Sequence, residues 1–427
     1  MANKVLIINK KALLNNGKVL AVPKAYADYV YLQNKTSFEY ETDEKTIPQK
    51  CFYYSKLSKI TAKNATSIGG YAFYSCSALT SINLPNATSI GGYAFGYCSA
   101  LTSIDLPNCS SFGSRSLAYC PKLANINLPK LAILGSQMFE DSCEKVDLKL
   151  PYLKIVNNYG FYSIKAQSIY MPMLEQLNGN NIWDGYPSYL KKIIVDDIEQ
   201  WLKVKITNSG GSPFRIKQSG TYVGLYVGNE LVRSLNSNVE KINDYNFYCN
   251  KYLTSIDLPN ATSIGDSAFD SCSALTSIDL PNATSIGSYV FRDCTSLTSV
   301  SLPNAIYIGS NGGILVFYNC TSLTSIDLPN AIYIGGSAFY SCSALTSATM
   351  PKVKTINSSA FASCTSLKLL DFRNIEAVPT LSSTNAIPTN AGLQIVVPDA
   401  LYDSWCTATN WTSFTSYIVK ESEYAGV

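Results

Sequence analysis

Leu79-Thr-Ser-Ile-Asn-Leu-Pro-Asn-Ala-Thr-Ser-Ile-Gly-Gly-Tyr-Ala-Phe-Gly-Tyr-Cys98 decides the fold, because the chain repeats it. Variants run from Leu101 to Cys120, Leu253 to Cys272, Leu275 to Cys294, Leu297 to Cys320, Leu323 to Cys342 and Leu345 to Cys364. Cysteines recur at 76, 98, 120 and 143, then at 249, 272, 294, 320, 342 and 364, which sets a 22-residue period with a four-residue bulge near Asn311-Gly-Gly-Ile314. Leu101, Ile104 and Leu106 follow the spacing L-x-x-I-x-L. The last two share one face of a strand, while Ser103 and Asp105 point the other way. Pro107 ends the strand because it has no N–H for a ladder. Ile90, Phe95 and Cys98 form the return side, with Gly91 at a tight bend. No single unit can bury this apolar edge, and stacking units in parallel register buries it as a continuous core. The expected fold class is therefore a β-rich repeat solenoid, with ten cysteines stacked as one buried ladder.

The pattern L-x-x-I-x-L-P-x-x-x-x-I-G-x-x-A-F-x-x-C resembles the BspA-type (Treponema pallidum-type) leucine-rich repeat, over about residues 46 to 195 and 229 to 376. That resemblance implies a curved solenoid with parallel strands on its concave face. It also implies proteins that mostly bind other macromolecules and are often bacterial surface adhesins. The stretch containing Ile198, Trp201 and Leu202 is similar to inserts found between repeat blocks in this family. The tail with Trp405 and Trp411 looks like the family's C-terminal cap.

Fainter turns occur at Leu57 to Ala62, Val146 to Leu150, Ser168 to Met171, Leu190 to Val195, Leu231 to Leu235 and Leu393 to Val397. About fifteen turns at the ~4.8 Å spacing of adjacent strands predict a stack roughly 70 Å long. The expected organisation is a basic N-terminal module at 1–37, repeat block 1 at 38–195, a central insert at 196–228, repeat block 2 at 229–376 and a cap at 377–427. The first 37 residues hold six Lys and one Asp and contain a candidate hairpin, Ala12 to Val22, turned at Asn15-Asn16-Gly17. The insert reads as a short helix, a Gly210-Gly211-Ser212-Pro213 loop and a hairpin around Gly228-Asn229. In the tail, Asp399 is the expected helix N-cap, and the two tryptophans are expected to close the apolar end.

Composition excludes several classes of function. The 427 residues contain no His, which removes Ser-His-Asp and Cys-His catalysis and His-ligated metals. A net charge of +3 predicts no bulk attraction to nucleic acid or anionic membrane. The N-terminal apolar stretch, Val5 to Ile8, is shorter than a signal-peptide core, and no segment approaches the ~20 apolar residues of a membrane-spanning helix. The expectation is a chain made in the cytoplasm without a classical signal peptide and without membrane insertion. It would act as a virion or particle component or, alternatively, at a cell surface. No cofactor or metal is expected, and oligomeric state is left open.

Thirteen cysteines with no C-x-x-C pair read as reduced structural thiols, and Cys51, Cys109 and Cys406 carry no activating signature. The Asn-Ala-Thr sequons at Asn64, Asn86, Asn260 and Asn282 read as turn residues. Two surfaces are candidates for partner binding. One is the edge that varies between copies and bears Tyr71, Tyr74, Tyr93, Tyr97, Tyr119, Tyr289 and Tyr340, since tyrosine is favoured in binding surfaces. The other is the strand face bearing Asp105, Asp257, Asp279 and Asp327. The preferred reading is a non-enzymatic recognition or adhesion protein that binds a protein or glycan partner. A phage or injection-particle receptor-binding component is the first setting and a BspA-type cell-surface adhesin the alternative. A carbohydrate-active enzyme using Asp184, Asp196, Asp197 and Glu199 is a second reading, and a structural spacer a third.

Overall fold

The computed structural model describes residues 38–185, 189–215, 222–309 and 314–426, together with three short strands, Asn3–Val5, Leu14–Asn15 and Lys18–Val19. It is a parallel β-solenoid of about 16 turns with little helix. Two compact units make it up, one formed by Met1–Gln200 and Ile216–Asn229, the other by Trp201–Arg215 and Glu230–Val427.

In the first unit, Phe38–Glu41, Leu57–Thr61 and Ser81–Asn83 pair side by side in parallel. Ser103–Asp105 pairs with Asn125–Asn127, and Asp147–Lys149, Ser168–Tyr170, Lys192–Val195 and Gly224–Val227 form a further ladder. Register places equivalent repeat positions opposite one another: Ile104 faces Ile126, and Asp105 faces Asn127. As expected, Ile104 is buried between exposed Ser103 and Asp105. A second row of two-residue strands, including Ser67–Ile68, Ser89–Ile90 and Ser111–Phe112, lies on the next side of each turn. At the N-terminal edge, Leu14–Asn15 pairs antiparallel with Lys18–Val19, which itself pairs in parallel with Phe38–Glu41. The expected hairpin is present in these strands, while its turn residues Asn16 and Gly17 lie outside the described residues.

A third row closes each turn without regular strand geometry. The N–H groups of Tyr71, Phe73 and Ser75 donate to the carbonyls of Gly92, Ala94 and Gly96 on the following turn, at 2.9, 2.7 and 2.7 Å. The carbonyls of Ala72 and Tyr74 accept from Phe52 and Tyr54 on the preceding turn. All these groups can point along the stack because Tyr71 and Ser75 have left-handed backbones, with φ of 57° and 56°. Inside, Phe52, Phe73 and Phe95 stack with centroids 5.3 and 5.0 Å apart.

The second unit repeats this plan. Ser234–Asn236, Ser255–Asp257, Ser277–Asp279 and Ser299–Ser301 form one ladder, and Ser325–Asp327, Ser347–Thr349, Leu369–Asp371 and Gln394–Val397 form another. The expected helix is observed at Ile198–Lys203, with Trp201 and Leu202 buried. Trp201 Nε1 donates to the Asn246 carbonyl at 3.2 Å, and Asn243 and Asn246 donate back to the carbonyls that end the helix. Phe214 then stacks on Phe247, so Trp201–Arg215 covers the first turn of this unit. The expected Gly210–Pro213 loop is two short 3-10 turns, Ser209–Gly211 and Pro213–Arg215. The expected four-residue bulge falls on residues outside the described set, except Ile314, which bridges to Gly336.

Trp405 and Trp411 are fully buried against Phe372 and close the apolar end as expected. Two details of the cap differ from expectation. Asp399 does not cap a helix; it lies within the Asp399–Leu401 turn, and its Oδ1 accepts from the Ser422 N–H at 3.0 Å. Beyond the short helix Tyr402–Thr407, Ile418–Lys420 adds one more parallel strand to Gln394–Val397.

The thiol ladder is also shorter than its spacing suggested. Cys76, Cys98, Cys120, Cys272, Cys294, Cys320, Cys342 and Cys364 each donate to a phenylalanine carbonyl on the preceding turn. Cys143 and Cys249 do not. Ser142 takes the first position, donating to the Leu117 carbonyl, and buried Asn250 takes the second. The 23-residue intervals next to Cys143 and Cys249 were the sign, since a strict period places the ladder one residue before Cys143 and one residue after Cys249.

Candidate binding surface

The third row projects one ledge per unit, built from three positions of each turn around the buried Phe, or Leu117 in its place. In the first unit the first two turns supply Lys50, Tyr53 and Tyr54, then Tyr71, Tyr74 and Ser75. The next two supply Tyr93, Gly96 and Tyr97, then Arg115, Ala118 and Tyr119. Seven tyrosines join into one cluster. Tyr53 stacks on Tyr74 at 5.2 Å, Tyr71 on Tyr93 at 5.0 Å and Tyr97 on Tyr119 at 4.1 Å. Edge contacts of Tyr54, Tyr93 and Tyr97 with Tyr74, at 5.6, 5.8 and 5.2 Å, link the pairs.

Charges bracket the cluster. Lys50 Nζ lies 5.8 and 5.9 Å from the ring centres of Tyr53 and Tyr71, and the Arg115 guanidinium lies 5.6 Å from that of Tyr93. Largely buried Glu140 pairs with Arg115 and accepts from the Tyr119 hydroxyl at 2.9 Å. Burial, and then the surrounding tyrosines, push Tyr74 up to about 12. Burial, followed by the Glu140 hydrogen bond, also raises Tyr119. Both phenols stay protonated donors across the physiological range. Gly96 has a packing role, because a Cβ there would sit 3.1 and 3.2 Å from the rings of Tyr93 and Tyr74, which close over it.

Five of the expected tyrosines, Tyr71, Tyr74, Tyr93, Tyr97 and Tyr119, are thus brought together. Tyr289 and Tyr340 occupy the matching ledge of the second unit in smaller groupings. Tyr289 lies under the Arg292 guanidinium at 5.0 Å, and Tyr340 stacks on Tyr318 at 5.2 Å. Sequence reading missed Tyr53 and Tyr54 because their turn, Cys51-Phe-Tyr-Tyr-Ser55, lacks the Ala-Phe signature. Phe52 and Ser55, each 21 residues before Phe73 and Cys76, carried the signal.

The aspartates form no single row. Asp105 lines a groove of about 450 Å³ with Asn127, Asp147 and Lys149, and accepts from Asn127 Nδ2 at 2.8 Å. Asp257 and Asp279 lie directly opposite each other beside a groove of about 400 Å³, where two like charges repel. Asp327 pairs in register with Thr349. The acids of the insert are engaged separately: Asp196 accepts from the Tyr170 hydroxyl, and Asp197 accepts from the Glu199 N–H as a helix cap. Burial pushes Cys51 up to about 12 and Cys109 to about 11, away from nucleophile chemistry. Among the sequons, Asn86 and Asn282 donate to carbonyls of the preceding turn. No group of three or more His, Cys, Asp or Glu among the described residues is placed to hold a metal, and no helix there is long and apolar enough to cross a membrane.

With this geometry established, comparison with known proteins identifies the repeat. The model of the BspA type leucine rich repeat region matches residues 45–168, 232–312 and 313–384. The chain belongs to this family. Solved structures similar to this BspA-type chain include a leucine-rich repeat protein from Bacteroides ovatus, 18% identical over 98% of both chains with a TM-score of 0.41. A Treponema pallidum leucine rich repeat protein is 28% identical over 47% of this chain and 89% of its own, with a TM-score of 0.36. A leucine rich cell surface protein from Faecalibacterium prausnitzii is 20% identical over 87% of this chain and 95% of its own, with a TM-score of 0.37. No curated protein matches the chain.

Proposed function

We propose that this BspA-type protein is a non-enzymatic recognition protein that holds a protein or glycan of a cell surface through the tyrosine ledge of its first unit. The supporting observation is the continuous cluster of seven tyrosines on a backbone fixed by the stack. Rigid aromatic side chains give contact area at low entropic cost, and they dominate binding energy where measured. The setting is a receptor-binding component of a phage or injection particle or, alternatively, a bacterial surface adhesin.

The test replaces Tyr71, Tyr93 and Tyr97 together by Ser and measures binding to intact cells and to arrayed surface proteins and glycans. Serine already holds the same left-handed backbone at Ser75, Ser267 and Ser337, so the fold should persist, with the melting temperature lowered only by the lost ring contacts. Binding should be lost, at about 2 kcal/mol or more for each anchor ring. Phe95→Ala, which empties the fully buried stack instead, should cost about 3–5 kcal/mol of stability. Unchanged binding by the folded triple variant would defeat the proposal.

A further inference from the structure

Resting on the recognition reading of this ledge, we infer that its occupant is a linear glycan laid along the stacking direction, one sugar ring to each turn. Three observations lead there. The first is spacing. The three stacked pairs, each spanning two neighbouring turns at a different position of the ledge, have ring centres 5.2, 5.0 and 4.1 Å apart. The ledge therefore presents like chemistry at an interval close to the advance of one pyranose in an extended chain. An extended peptide fits this interval poorly, since its same-face side chains recur at about 6.7 Å.

The second observation is surface chemistry. Tyr54 and Tyr97 are exposed and Tyr53, Tyr71, Tyr74, Tyr93 and Tyr119 half-buried, and each joins an apolar ring to a hydroxyl, the pairing of C–H and O–H that a sugar presents. A docking helix needs an apolar groove for its side chains. Here the rings of Tyr74 and Tyr93 close over Gly96 and fill the space where such a groove would run. Charge is the third. The twelve ledge positions from Lys50 to Tyr119 include Lys50 and Arg115 and no carboxylate, and Arg115 is neutralised by Glu140. Lys50, lying over two of the rings, thus favours a uronate or other acidic sugar at that end of the chain.

The deciding measurement is retention on an array of linear glycans of two to eight residues, with neutral and uronate-containing series, beside an array of surface proteins. Wild-type protein should retain chains of four or more residues at least tenfold better than disaccharides. The triple Ser variant should lose that retention by tenfold or more. Lys50→Gln should weaken only the uronate series. Absence of length-dependent glycan retention, or equal retention by the triple variant, overturns the glycan. If the wild type and not the triple variant retains surface proteins instead, the glycan is overturned while the ledge remains the recognition surface.

Discussion

Gly91 shows how a single residue limits the stack. A Cβ there would lie 2.4 Å from the Gly70 backbone nitrogen, whereas one at Gly70 would lie 3.4 Å from its nearest neighbour, the Gly92 carbonyl oxygen. Glycine is needed at the first position for the approach of two backbones and not for a left-handed φ. Gly91→Ala should therefore cost about 1–3 kcal/mol by overpacking, while Gly70→Ala should stay within about 0.5 kcal/mol. Urea denaturation of the two variants checks this, and equal stabilities would contradict it. The left-handed residues follow the reverse logic. Tyr93, Tyr97, Arg115 and Tyr119 have φ between 53° and 60° although each carries a side chain. Such backbones cost about 1–2 kcal/mol each, and hydrogen bonds from their N–H groups to the following turn hold them in place.

Among the elements, the second unit's ledge places a charged pair, Asp270 and Arg292, at the position that Tyr53, Tyr74, Gly96 and Ala118 hold in the first. The Asp270 side chain is fully buried and pairs with Arg292 at 2.7 Å. Burial raises its pKa, while the hydrogen bond and charge of Arg292 pull the other way. Removing one partner leaves a buried carboxylate uncompensated. Arg292→Leu should therefore cost about 3 kcal/mol, and the double variant with Asp270→Ala should recover most of it, because Ala118 and Ala362 stand at equivalent positions of other turns. A double-mutant cycle by chemical denaturation measures the coupling. Full stability in Arg292→Leu alone would show that the pair holds nothing together.

For the molecule as a whole, eight ladder thiols link stability to pH. Cys76 and Cys120 are pushed up to about 12 by burial, and the remaining six are raised as well. A thiol in the unfolded chain ionises near pH 8.5. Between that value and the folded pKa, the native state holds protons that the unfolded state has released. Stability from each thiol is intact below about pH 8.5 and then falls, by about 1.4 kcal/mol per pH unit per thiol. Urea midpoints should hold steady from pH 7 to 8 and drop steeply towards pH 10, and a flat profile through pH 10 would refute the linkage. In native protein, thiol reagents should reach the partly exposed Cys51, Cys249 and Cys406 ahead of the ladder.

Sequence alone determined the 22-residue period, the alternation that buries Ile104 between Ser103 and Asp105, and the tryptophan cap. Each follows from local rules, namely strand alternation, the missing N–H of proline and the need to cover an apolar end. Tertiary structure decided the rest, because it depends on what the neighbouring turn presents. Spacing between cysteines put Cys143 and Cys249 in the ladder, yet Ser142, by its hydrogen bond to the preceding turn, and buried Asn250, which accepts from the Tyr252 and Leu253 N–H groups, hold those places. Repetition put tyrosines on one edge, but only the stacked turns made Tyr53 and Tyr54 part of the same cluster and left Tyr289 and Tyr340 in separate ones. The aspartates, alike in sequence, differ in register partner: Asp105 meets Asn127, whereas Asp257 meets Asp279. A repeat fixes the shape of a turn from within, whereas a surface is made between turns, where each side chain meets whatever its copy became one period away.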